Sequence, residues 1–149
     1  MPAAPAAVID TLNSLLEAEL NSVFRFLTEG SPYMSRATAE LRAPLNQMVQ
    51  ANQRRARDLA ALIERLGGVP VPPSIQPEEQ YLAFLTLKFL LPKLVDAKRL
   101  MIQRYENALR AIRDIAPPEV IDLLRAHIAE DQQHLKILEK AAADLMARK

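Results

Sequence analysis

Apolar residues recur along this chain at alternating steps of three and four, the spacing that lines one face of an α-helix. Four stretches carry the pattern. In the first, about residues 8–29, the series is Val8, Leu12, Leu15, Glu19, Ser22 and Phe26. In the second, about 44–66, it is Leu45, Met48, Asn52, Arg55, Leu59, Leu62 and Leu66. The third, about 77–114, runs through Leu87, Leu91, Leu94, Lys98, Met101, Tyr105, Ala108 and Ile112. The fourth, about 119–147, reads Ile121, Leu124, Ile128, Asp131, Leu135, Leu138, Ala142 and Leu145. Each series is apolar at both ends and polar in the middle.

The punctuation between the stretches predicts how they connect. Gly30-Ser31-Pro32 stops the first helix, and residues 31–43 form a connector in which 35–42 is expected to make a short helix. Pro44 suits the first turn of the second helix, and Gly67-Gly68 ends it. The crossover, residues 67–76, is rich in proline: Pro70, Pro72 and Pro73, with Pro77 beyond. About ten residues of extended, polyproline-like chain at ~3.1 Å each reach about 30 Å, nearly the length of a helix of roughly 22 residues. A rod that long returns the chain along a bundle, so two helical hairpins joined by one long crossover are expected. Pro92 falls inside the third helix and is expected to kink it. Pro118 and Glu119 open the fourth.

Composition narrows the setting. A chain of 149 residues with half its positions apolar fits a single domain, 1–149, with a sizeable core. Nineteen basic against eighteen acidic residues leave a net charge of +1, no basis for attracting nucleic acid or an anionic membrane. There is no cysteine, which excludes disulfides, thiol chemistry and thiolate metal sites. The N-terminal Met-Pro-Ala-Ala-Pro lacks the features of a signal peptide, and a cytoplasmic location is expected. The most apolar run, 81–91, is too short to span a bilayer.

The polar midpoints then become the central feature. Midpoints of bundled helices lie at one depth, so Glu19, Asn52, Arg55, Lys98, Asp131 and His134 are expected to share a layer. With Ala18-Glu19-Leu20, the Leu66-Gly67-Gly68-Val69-Pro70 exit, the Lys98-x6-Tyr105 spacing and Asp131-Gln132-Gln133-His134, nearly the whole chain resembles the ferritin-like superfamily, in its rubrerythrin and bacterioferritin branch. The resemblance implies an all-α four-helix bundle whose helices carry inward carboxylates and Glu-x-x-His pairs for two iron ions. By position, Glu19 matches the first helix's ligand, and Asp131 with His134 match the acid-x-x-His pair of the fourth.

The departures from that pattern decide the expected function. Asn52-Gln53-Arg54-Arg55 stands where a Glu-x-x-His pair belongs, and Lys98 replaces a bridging glutamate. Two carboxylates, Glu19 and Asp131, then face two cations, Arg55 and Lys98, and the layer is neutral without metal. At an effective dielectric near 20, a metal ion ~4 Å from each cation is opposed by several kcal/mol. We therefore expect a degenerate di-iron site filled by buried salt bridges, no cofactor, and a non-enzymatic structural or interaction role. The alternative is an iron- or manganese-binding oxidoreductase or iron-handling protein with a reduced site at Glu19, Asp131 and His134, joined by His127. Small-molecule binding in the layer is a third reading. Tyr105 is expected to pack in the core with its hydroxyl on a polar neighbour, His127 to sit at the core edge, and Arg54 to face solvent.

The start of the third helix adds an expectation about partners. Tyr81, Leu82, Phe84, Leu85, Leu87, Phe89, Leu90 and Leu91 are apolar almost all round, more than one bundle stripe buries. Either the connector 31–43 folds over the surplus or a second copy of the chain covers it, and a homodimer is expected.

Overall fold

The computed structural model describes residues 5–26, 39–71 and 87–147. They form α1 (Ala6–Leu20), a short 3₁₀ turn (Val23–Phe26), α2 (Ala39–Arg65), α3 (Leu87–Ile112) and α4 (Pro118–Ala147). No strand occurs among the described residues. α1 packs along α2 and α3 along α4, while α1 also meets α3 and α2 meets α4. The four helices thus form a closed square.

The buried apolar side chains separate into two clusters. One gathers Val23, Phe24, Leu45, Met48, Leu90, Leu91, Leu94 and Leu138. The other gathers Val8, Leu12, Leu59, Leu62, Ile112, Val120 and Leu124 with their neighbours. These memberships fix the directions of the helices. α1 and α4 run from the second cluster to the first, and α2 and α3 run the opposite way. Because α2 and α3 are parallel, the connection between them must return along the whole bundle, which no tight hairpin does.

The start of that return is visible. Gly67 ends α2 at a φ of 87°, a left-handed conformation that favours glycine, and Gly68 N–H donates to the Ile63 carbonyl at 2.9 Å. Gly68 lies so close to α1 that a Cβ there would meet Ile9 Cγ2 at 2.7 Å. Beyond it, Asn13 on α1 donates from its amide to the Val69 carbonyl at 3.2 Å and accepts from Val71 N–H at 2.8 Å. Between Gly68 and Val71 the chain advances from Ile9 toward Asn13, back toward the other end of the bundle. The expected crossover residues 72–76 lie outside the described residues.

Several boundaries differ from the sequence expectation. α1 ends at Leu20, not near residue 29. Ser22 starts a new turn there, its hydroxyl accepting from Phe24 N–H at 3.3 Å and its carbonyl from Arg25 N–H at 3.0 Å. Val23 and Phe24, rather than Ser22, then fill the core. α2 begins at Ala39, absorbing the end of the expected connector and leaving Pro44 inside the helix. α3 closes at Ile112, two residues early, and its expected first ten residues, with the connector 31–38, lie outside the described residues. Pro118 is the first residue of α4 and Glu119 lies in its first turn.

The seams of α2 and α3 follow the expected register; Leu66 is only half-buried, and the side chain of Leu87 is outside the described set. On α4 the buried series is Val120, Leu124, His127, Asp131, His134 and Leu138, one residue off the expected line through Ile121, Ile128 and Leu135. His127 was expected at the core edge. In the structure it occupies a core position.

Candidate functional site

Between the two apolar clusters lie seven buried polar residues among those described: Glu19, Asn52, Arg55, Lys98, His127, Asp131 and His134. Each helix contributes from its seam, which is why they meet. Glu19 reaches the layer differently from the others, from the last turn of α1 rather than from its middle.

Asp131 is the hub, with no exposure to solvent. Its Oδ1 accepts from Arg55 Nη1 at 2.5 Å and from Lys98 Nζ at 2.7 Å. The His134 ring nitrogen Nδ1 stands 3.7 Å from the same oxygen, beyond hydrogen-bond length. Burial alone would raise the Asp131 pKa, but the adjoining His134, Lys98 and Arg55 hold it well below the usual carboxylate range. Burial lowers the Lys98 pKa, and Asp131 opposes that shift. The Phe24 ring, centred 4.4 Å from Lys98 Nζ, adds its negative face to the stabilisation of the ammonium. The 3₁₀ turn after α1 is what carries Phe24 to that place.

Glu19 is held by three neighbours. The Asn52 amide donates to its backbone carbonyl at 2.8 Å and to its Oε1 at 3.2 Å. Tyr105 donates to Oε2 at 2.9 Å, and Arg55 Nη1 lies 3.8 Å from that oxygen. Burial raises the Glu19 pKa despite Arg55. Burial and the Glu19 charge together push Tyr105 well above its ordinary value, so its hydroxyl keeps its proton.

Glu130 completes the site, and the sequence reading missed it. Its Oε1 accepts from Arg55 Nε at 2.9 Å, Arg55 Nη2 at 2.7 Å and Arg54 Nη2 at 2.5 Å. Against the cost of burial, the two guanidinium groups bring its pKa down to about 2. Arg54, expected to be an ordinary surface residue, is half-exposed and clamps this carboxylate. The available signal was the matching of adjacent arginines, Arg54-Arg55, with adjacent acids, Glu130-Asp131, on facing helices. With both extra residues counted, Arg54, Arg55 and Lys98 oppose Glu19, Glu130 and Asp131, and the formal charges cancel.

Arg55 and Lys98 both bond Asp131 Oδ1, while Asp131 Oδ2 and His134 Nδ1 are buried without a hydrogen-bond partner, and no cluster of three or more His, Cys, Asp or Glu with metal-holding geometry occurs among the described residues. Two cations, Arg55 and Lys98, thus stand among the acids of this layer. A separate groove of about 590 Å³ lies between α1 and α3, lined among others by Glu17, Ala18, Met101 and Arg104, and none of the seven buried polar residues borders it.

α3 is described from Leu87, and its side chains from Leu90. Leu90 and Leu91 are fully buried in the bundle's own core, so they are not the surplus surface that the sequence suggested. Residues 81–86 and the side chains of 87–89 lie outside the described set. No described helix is long and apolar enough to cross a membrane.

No protein-family model matches the chain, and no curated protein matches it. Among solved structures it is similar to Desulfovibrio desulfuricans bacterioferritin, a protein described with its diiron site in different catalytic states. The TM-score is 0.81 at 20% sequence identity, over 96% of this chain and 82% of that one. The all-helical architecture, the parallel α2 and α3 and this likeness together identify the fold as that of a ferritin-like four-helix bundle.

Proposed function

We propose that the chain is a ferritin-like bundle in which a di-metal centre has been replaced by a buried ion-pair network, and that it serves a non-enzymatic structural or interaction role. One observation carries the reading: Arg55 and Lys98 both bond Asp131 Oδ1, at 2.5 and 2.7 Å. Two fixed cations then supply the counter-charge that metals supply in a carboxylate site, and a divalent ion entering between them meets net repulsion. No cofactor is needed to balance the layer. Fold alone does not assign an activity; the reading rests on the charges.

Metal analysis of protein purified without chelator tests it. The expected result is iron and manganese well below one ion per chain, and stoichiometric metal would overturn the proposal. The constructive test is the combined substitution Asn52→Glu, Arg55→His and Lys98→Glu, which should create metal binding where the parent chain has none.

A homodimer, formed through the apolar residues 81–89, is part of the same reading, as is a cytoplasmic location. With Leu90 and Leu91 buried in the core, the residues that would form the dimer contact are Tyr81, Leu82, Phe84, Leu85, Leu87 and Phe89. Light scattering at micromolar concentration should give twice the 16.7 kDa chain mass, and a monomer mass would remove this part of the proposal.

A further inference from the structure

We propose that the groove between α1 and α3 is a surface through which two copies of the chain pair about a two-fold axis, each covering the other's Leu100. The groove encloses about 590 Å³, and its lining includes the small or apolar side chains of Ala18, Ala97 and Met101. Leu100 also lines it and leaves 50% of its surface in water. Covering that side chain removes apolar area from contact with solvent, a gain roughly proportional to the area removed. A small molecule seated in the groove would leave the outer side of Leu100 wet. A second protein surface covers groove and rim together.

The charges of the groove select the occupant. It carries one acid and one base, Glu17 on α1 and Arg104 on α3. Both are exposed, and among the described residues neither side chain takes part in an ion pair. A groove of one sign would repel its own copy, whereas this one is complementary to itself. A two-fold axis perpendicular to the groove, passing midway between Glu17 and Arg104, exchanges the positions of the two charges. It lays α1 of one copy over α3 of the other, so that each Glu17 meets the other copy's Arg104 and two equivalent ion pairs form together. The buried polar layer takes no part, since none of its residues borders the groove. The surface is smaller than the roughly 20–30 residues a side of a stable interface, so this pairing is weak and depends on concentration.

The pairing goes beyond the homodimer placed at residues 81–89 and uses none of those residues. The mass at micromolar concentration reports on that contact, and the rise in mass above it reports on the groove. Sedimentation equilibrium of the full chain, from about 10 micromolar to about 1 millimolar, should show the average mass at least doubling. Glu17→Arg and Arg104→Glu each set like charges opposite one another and should weaken that association by about tenfold or more. Both positions are exposed, and an unchanged melting temperature verifies that each variant folds. An equal mixture of the two variants, and the double variant carrying both changes, should regain the association of the parent chain. Leu100→Ser should weaken it without altering any charge. A parent mass that stays constant over the whole range would overturn the proposal. So would single variants that associate as the parent does, which would move the contact elsewhere on the molecule, or a mixture that stays as weak as its components.

Discussion

The Asn52 side chain donates to the backbone carbonyl of Glu19 and to its carboxylate, so one amide both orients the acid and satisfies the end of α1. The last carbonyls of a helix have no partner within it. Asn52 supplies one from the neighbouring helix at the place where α1 stops. Asn52→Ala should remove both cross-helix bonds to Glu19, whose carbonyl then keeps only backbone N–H donors such as that of Ser22 at 3.2 Å, at a cost of about 1–3 kcal/mol. Urea denaturation checks the value, and the same variant should increase amide exchange near Leu20 more than elsewhere.

Removing one member of the ion-pair set should cost more than removing the set. Asp131→Leu leaves Lys98 and part of Arg55 buried without their acceptor, an expected loss of about 3–5 kcal/mol. Adding Arg55→Met and Lys98→Met to it should restore part of that loss, because an apolar group of similar volume needs no partner. If the triple variant is no more stable than Asp131→Leu alone, unpaired buried cations are not the source of the loss.

Glu130→Gln should weaken the hold on both arginines at once. Arg55 loses charge-assisted bonds at Nε and Nη2, each contributing about 1.5–3 kcal/mol when buried. Arg54, half in water, loses much less. A double-mutant cycle with Arg54→Ala, followed by thermal denaturation, should show coupling smaller than the Glu130→Gln effect itself.

His127 predicts a particular acid sensitivity. Burial first, then Arg55, lowers its pKa from 6.5 to about 4. The folded state therefore binds fewer protons than the unfolded chain between those values. The associated stability is complete above pH 6.5 and is lost as pH falls through about 4, amounting to on the order of 3 kcal/mol. Glu130, brought down to about 2, acts in the same direction below pH 4.5. Glu19, whose pKa is raised, opposes both by gaining its proton more readily in the folded state. Stability measured from pH 7 to 4 should fall in the parent chain and fall less steeply in His127→Gln.

The sequence made the layer legible because α2 and α3 keep an unbroken three-four period from Leu45 to Leu62 and from Leu91 to Ile112. On such helices a polar residue in the seam has one place to go. α1 was harder to read, since its end depends on Asn52, thirty-three residues away, and on the hydroxyl of Ser22. Neither contact leaves a periodic signal. His127, expected at the core edge, is buried, and Glu130 escaped because it lies beside the seam and is drawn inward by Arg55. Pairings between helices become visible when both partners are considered together, as Arg54-Arg55 and Glu130-Asp131 now show.

The separation of the apolar core into two clusters has a consequence for tolerance to change. A charged diaphragm stands between them, and its groups are bound to one another rather than to either cluster, apart from Tyr105 and the Lys98 contact with Phe24. Packing faults at one end thus have few atoms through which to reach the other. Truncations at Leu62 and at Leu138, which belong to different clusters, should add their effects within about 0.5 kcal/mol. Each end of the barrel-shaped interior is free to drift in sequence on its own, so long as the partition between them holds.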